Sequence, residues 1–131
     1  MPGKLTQNRQ AVLNVLAKSV TALSAYDILD HLHRRDNKWK PATVYRALNY
    51  LIEANLVHRI ESQQKFISCG HAHREEERHF LICDVCGSVE ERLLRPSERS
   101  FFQTLAAESQ FNLRAPYLEF RGTCHQCADA A

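Results

Sequence analysis

Long apolar runs are missing from this chain: none approaches the roughly 20 residues of a membrane span. The opening Met1-Pro2-Gly3-Lys4 also lacks the apolar core of a signal peptide. Neither a membrane-spanning helix nor an exported chain is expected, so the predicted compartment is reducing cytoplasm, where disulfides rarely persist. Compositional bias is missing too: 44% hydrophobic and 24% charged residues are ordinary for a soluble globular protein. At 131 residues the chain has room for one ordinary domain or two small ones, and small ones often need a staple. Cysteine is scarce, with five in all, and their placement is the most informative feature present.

Four of the five form two C-x-x-C knuckles, Cys83-Asp84-Val85-Cys86-Gly87 and Gly122-Thr123-Cys124-His125-Gln126-Cys127. Each presents two sulfurs from one tight turn, and two such turns close a tetrahedral thiolate cage around a structural zinc. The 37 residues between Cys86 and Cys124 are too many for one ribbon hairpin. The metal must then staple a whole intervening unit. Cys69 is left outside the cage.

The net charge of +2 hides a division. Residues 1–65 hold ten Lys/Arg against five Asp/Glu, giving +5, and residues 66–131 hold seven against ten, giving −3. A basic first half suits a polyanionic partner.

That half carries three helical patterns in succession. The first follows a Thr6 cap, with Val12, Leu13, Val15 and Leu16 as its apolar face. The second opens at Ser24, with Asp27 at its positive end and Ala25, Ile28, Leu29 and Leu32 apolar. The third begins near Pro41, a first-turn residue, and runs to about Ala54. Its Val44, Ala47, Leu48, Leu51 and Ile52 share one face; Arg46, Asn49, Tyr50 and Glu53 share the other, with Thr43 and Tyr45 on the shoulders. Two β-prone stretches, Leu56–Ile60 and Lys65–Ser68, then flank the polar turn Glu61–Gln64. Three helices and a hairpin make a winged helix-turn-helix whose third helix enters the major groove of double-stranded DNA. Thr43, Tyr45, Arg46 and Asn49 are the candidate DNA contacts. Arg46 has the fork for guanine, and Tyr45 suits a thymine methyl or a phosphate.

The run Pro41-Ala42-Thr43-Val44-Tyr45-Arg46-Ala47-Leu48, with Leu56-Val57-His58, resembles the recognition helix of ferric-uptake-regulator-type repressors. Phe80-Leu81-Ile82-Cys83-Asp84-Val85-Cys86-Gly87 and Cys124-His125-Gln126-Cys127 resemble their dimerisation domain. The resemblance runs from Leu5 to Cys127 and is strongest to the zinc uptake regulator branch. It implies an α+β fold: a winged helix-turn-helix, then a small α/β dimerisation domain stapled by the four-cysteine zinc site. The expected division is 1–68 for DNA binding, 69–79 as a metal-binding hinge and 80–131 for dimerisation.

The hinge stretch Cys69–His79 holds one thiol, three imidazoles and three carboxylates, a composition that binds transition metals. His58 ends the first wing strand and Cys69 follows the second, so strand pairing would bring them close. Glu91 belongs to a strand running back from the first knuckle. In zinc uptake regulators the sensory ion is held by a wing histidine, a cysteine after the wing, a hinge histidine and a glutamate after the first knuckle. His58, Cys69 and Glu91 match three of these. Glu76 stands where the hinge histidine is expected, so the fourth ligand is taken as His73, with His79, His71 or Glu76 as alternatives. The thiolate favours tetrahedral Zn²⁺ over iron or manganese.

The resemblance thus implies a homodimeric repressor of zinc-uptake genes carrying two zinc ions per chain, one structural and one regulatory. Filling the regulatory site would fix the spacing of two recognition helices near the roughly 34 Å repeat of the groove. Phe101, Phe102, Leu105 and Ala106 form one face of a helix over Ser97–Ser109. Val89, Leu93, Leu94, Tyr117, Leu118 and Phe120 supply β-prone residues around it, with a strand edge to pair across a two-fold axis. Other readings are an iron- or peroxide-responsive relative, or a constitutive DNA-binding protein with structural zinc only.

An enzyme is not expected, nor a small-molecule substrate or a membrane partner. His73-Arg74-Glu75 ahead of Cys83-x-x-Cys86 is superficially deaminase-like, but Ile82 stands where that motif has Pro, and nine residues between His73 and Cys83 are too few. Many relatives carry an extra basic helix before the first segment; here Met1–Lys4 alone precede Leu5, which bears on DNA affinity. His125 is the candidate donor of a hydrogen bond to a thiolate, while His31 and His33 read as surface residues.

Overall fold

The computed structural model describes residues 5–69, 78–114 and 117–129. The chain divides into two compact units, Met1–His73 and Arg74–Ala131.

In the first unit, α1 (Gln7–Ala17), α2 (Ala25–His33) and α3 (Pro41–Glu53) precede a hairpin of β1 (Val57–Ile60) and β2 (Lys65–Ser68). The helix starts follow from side-chain caps. Thr6 Oγ1 accepts from the Arg9 amide, and Ser24 and Asp27 satisfy each other's amides in a capping box, both at 3.0 Å. Pro41 occupies the first turn of α3, where its missing N–H costs nothing.

The end of α3 is set by Asn55, whose φ of 61° lies in the left-handed region that Asn tolerates. Its amide bonds to Ile52 O and the Leu56 amide to Leu51 O, which turns the chain sharply into the wing. The core collects one stripe from each helix: Val12 and Leu16, then Ile28, Leu29 and Leu32, then Val44, Ala47, Leu48 and Leu51, closed by Val57 and Phe66. Leu23 adds an isolated antiparallel bridge to Phe66 and ties the α1–α2 link to the wing.

The second unit is built on a three-stranded sheet in the order β4–β3–β5, from β3 (Arg78–Cys83), β4 (Val89–Leu93) and β5 (Tyr117–Gly122). β3 pairs antiparallel with β4 and parallel with β5. The crossover holds α4 (Pro96–Glu108), and α5 (His125–Asp129) follows β5. Among the described residues its buried hydrophobic side chains are Phe80, Ile82, Cys83 and Leu94, and α4 contributes none. The helical face expected around Phe101 and Leu105 therefore exists but is uncovered among the described residues, these two being 62% and 52% exposed. β3 begins at Arg78, so the last two residues of the 69–79 stretch already belong to a strand.

No described helix is long and apolar enough to cross a membrane.

Candidate metal centre and nucleic-acid interface

The parallel pairing of β3 with β5 sets Cys83 opposite Gly122, so both strands deliver their knuckles to the same end of the sheet. There the sulfurs of Cys83, Cys86, Cys124 and Cys127 lie within 4.8 Å of one another. Tetrahedral Zn–S bonds of about 2.3 Å require sulfurs about 3.8 Å apart. Cys86 and Cys124 stand at 3.8 Å. The donor set thus fits a zinc ion.

The local backbone explains how four thiols can face one another. Gly87 takes φ 77° to close the first knuckle, and its amide bonds to Cys83 O. The backbone N–H groups of Val85, Cys86 and Cys124 all aim at Cys83 Sγ, at 3.4, 3.5 and 3.3 Å. Those donors, Cys86 and Cys124 foremost, lower the Cys83 thiol from 9.0 to about 6. Cys86 is lowered as well, chiefly by the Ser88 hydroxyl 3.2 Å away. Cys127 is pushed up to about 12, first by its hydrogen bond with the Cys124 sulfur and then by burial and the remaining sulfurs. A divalent cation held by the four sulfurs would supply the charge that keeps all of them as thiolates. Arg121 adds an ion pair to Asp84 at 3.1 Å across the two knuckles.

Sequence reading found the four sulfurs and missed these amides, for which only the C-x-x-C-Gly pattern gave a signal. His125 does not donate to a thiolate as expected. Its Nε2 faces Asp129 Oδ2 at 3.4 Å, one turn along α5.

The wing brings two of the sensory candidates together. His58 pairs with Ile67, and the Cys69 amide bonds to Leu56 O, continuing the ladder past Ser68. Cys69 is two residues beyond Ile67, so it shares the face of His58 as a diagonal neighbour. Their ligand atoms lie within 4.8 Å of each other, and both residues are half-buried. In the second unit Glu91 sits half-buried on β4 opposite Phe80. His79 is buried in β3 and stacks edge-on against Phe120 at 5.8 Å. His71, His73 and Glu76 lie outside the described residues.

On α3, Tyr45, Arg46 and Asn49 are exposed and Thr43 half-exposed, on the side away from Val44, Ala47, Leu48 and Leu51. Beside them is a contact the sequence did not announce. Arg9 of α1 lays its guanidinium over the Tyr50 ring, 3.6 Å from the centroid.

A winged helix on a basic half-chain, with a sulfur cage in a separate sheet unit, defines a metal-linked transcriptional regulator. The sequence model of the ferric uptake regulator family matches residues 2–121. The chain belongs to that family, whose members are transcription regulators rather than enzymes. It is 38% identical over 127 residues to the zinc uptake regulation protein of Escherichia coli (strain K12), covering 96% of this chain and 74% of that protein. Among solved structures it is similar to a zinc uptake regulator complexed with zinc and DNA, with a TM-score of 0.86, 37% identity and coverage of 97% of this chain and 85% of that one. It is also similar to holo XcZur, at TM-score 0.82 and 36% identity, covering 99% and 90%.

Proposed function

We propose that this protein is a zinc-responsive repressor that binds operator DNA as a homodimer and controls zinc-uptake genes. The single observation that carries the metal assignment is the His58–Cys69 pair on one face of the wing. An imidazole beside a thiolate suits tetrahedral zinc, whereas Fe²⁺ and Mn²⁺ prefer more oxygen donors. The likeness to zinc uptake regulators points the same way.

In this reading two zinc ions serve each chain. Cys83, Cys86, Cys124 and Cys127 hold the structural ion. His58, Cys69, Glu91 and a hinge ligand, His73 in first place, hold the regulatory one. The regulatory ligands come from both halves, with 1–68 as the DNA-binding domain, 69–79 the hinge and 80–131 the dimerisation domain. An ion bound by all of them orders the hinge and raises the population of the state that fits DNA, by as much as its differential affinity for that state. Thr43, Tyr45, Arg46 and Asn49 then meet the major groove. The uncovered α4 face and the two outer strands β4 and β5 support the homodimer.

The test combines elemental analysis with DNA binding. Wild-type protein should retain two zincs per chain, one of them lost to a mild chelator. Cys69→Ala should retain one zinc and a folded dimer and lose zinc-dependent DNA binding. An undiminished zinc response in that variant would refute the regulatory assignment.

A further inference from the structure

We propose that Arg9 is a DNA-phosphate contact, held in position by the ring of Tyr50. This rests on the reading of α3 as the DNA-facing helix and adds a residue from outside it.

Arg9 lies in the first turn of α1, which is anchored from below by Val12 and Leu16, both fully buried. Its guanidinium reaches across to α3 and stacks on Tyr50 at 3.6 Å. Tyr50 itself is half-buried and packed against the core of the unit, so the platform is fixed. A stacked guanidinium is satisfied only on its flat face. Its five N–H donors point outward in the ring plane, in a fork that matches phosphate oxygens. Among the described residues no carboxylate is within ion-pair distance of Arg9 and no side-chain acceptor takes its protons. An arginine recruited only to fasten α1 to α3 would gain by spending those donors on protein acceptors.

Position along α3 points the same way. Tyr50 is four residues past Arg46 and adjacent to Asn49, so the ring that carries Arg9 lies on the same side of α3, about one turn or about 6 Å further along its axis than Arg46. The major groove is about 12 Å wide. With Arg46 at the base edges, a charge one turn further along is carried towards the phosphate wall. Such contacts position a protein and carry no base information.

The experiment uses the zinc-loaded full chain and a duplex enriched by it from a random-sequence library. Binding is measured over a series of KCl concentrations for wild type, Arg9→Gln and Arg9→Lys. In the homodimer Arg9→Gln removes two phosphate contacts, so the slope of log K against log[salt] should flatten by about 1.8 and binding should weaken about thirtyfold near 0.15 M salt. Arg9→Gln should show both changes, equally on enriched and scrambled duplexes, with its melting midpoint unmoved. Arg9→Lys should keep the wild-type slope. An unchanged slope in Arg9→Gln overturns the proposal. A lowered melting midpoint with slope loss in both variants also overturns it, because Arg9 is then a packing residue. Failure of the wild type to enrich any duplex overturns the DNA-facing reading and this inference together; enrichment with an unchanged slope removes this inference alone.

Discussion

Replacing Cys124 by Ser should unfold the C-terminal unit and leave the N-terminal one standing. The described part of that unit buries three large apolar side chains, Phe80 and Ile82 at 2% exposure and Leu94 at 8%. Full burial of such side chains contributes about 1.5–3 kcal/mol each, so about 5–9 kcal/mol together. That is an upper bound, since the unfolded chain already hides some of this surface. Capture of a structural zinc contributes about 10–16 kcal/mol near neutral pH. The metal therefore outweighs the buried side chains, and a serine hydroxyl does not replace a thiolate as its ligand. The assay has two readouts. Hydrogen exchange should lose protection across Arg78–Cys83, Val89–Leu93 and Tyr117–Gly122. Fluorescence of Trp39, the chain's one tryptophan, which packs against the N-terminal core, should report an unshifted thermal transition there. Wild-type protection of the three strands in Cys124→Ser would mean that burial alone suffices and that the ion is not the staple.

Zinc affinity of the four-cysteine site should depend on pH with a break. Cys83 titrates at about 6 and Cys127 at about 12, against 9.0 for an ordinary thiol. Above pH 6 zinc binding displaces no proton from Cys83 but one from Cys127. As pH falls through about 6, Cys83 takes up a proton that zinc must also displace, so the slope of log K against pH steepens. Competition against a chelator of known proton affinity, from about pH 5 to about pH 8, measures it; a constant slope contradicts the amide-stabilised thiolate. Phe101→Asp combined with Leu105→Asp should halve the mass seen by light scattering. Because both positions are exposed within the chain, monomer stability should change by no more than about 0.5 kcal/mol per site. A double variant that remains dimeric would place the interface elsewhere.

What the sequence made legible was local. Thr6, Ser24 with Asp27, and Pro41 each mark a helix start through chemistry confined to one turn, and all three lie where that chemistry puts them. The 3.6-residue stripe of α3 likewise separates Val44, Leu48 and Leu51 from Arg46 and Asn49. Long-range facts were harder to read. Periodicity shows that α4 has an apolar face, but not that no other described element covers it. Arg78 and His79, at the end of the 69–79 stretch, are buried strand residues, held by pairing to β4 and β5 that no local window contains. Cys69 and His58 were legible as neighbours because a four-residue turn fixes hairpin register. The Arg9–Tyr50 stack was not, since its partners stand 41 positions apart, separated by helix and loop.

The parallel register of β3 and β5 has a consequence for how the protein is made. Cys124 follows Cys83 by 41 residues, so a growing chain exposes the first knuckle well before the second exists. No partial product can close the cage, and the half-site must wait on the ribosome or beyond it. Each new copy would, on the proposed reading, draw one zinc ion from the cell merely to become folded. In the reading proposed here, the ion that is counted comes after the ion that is consumed, and supply of this regulator falls together with the signal it reports.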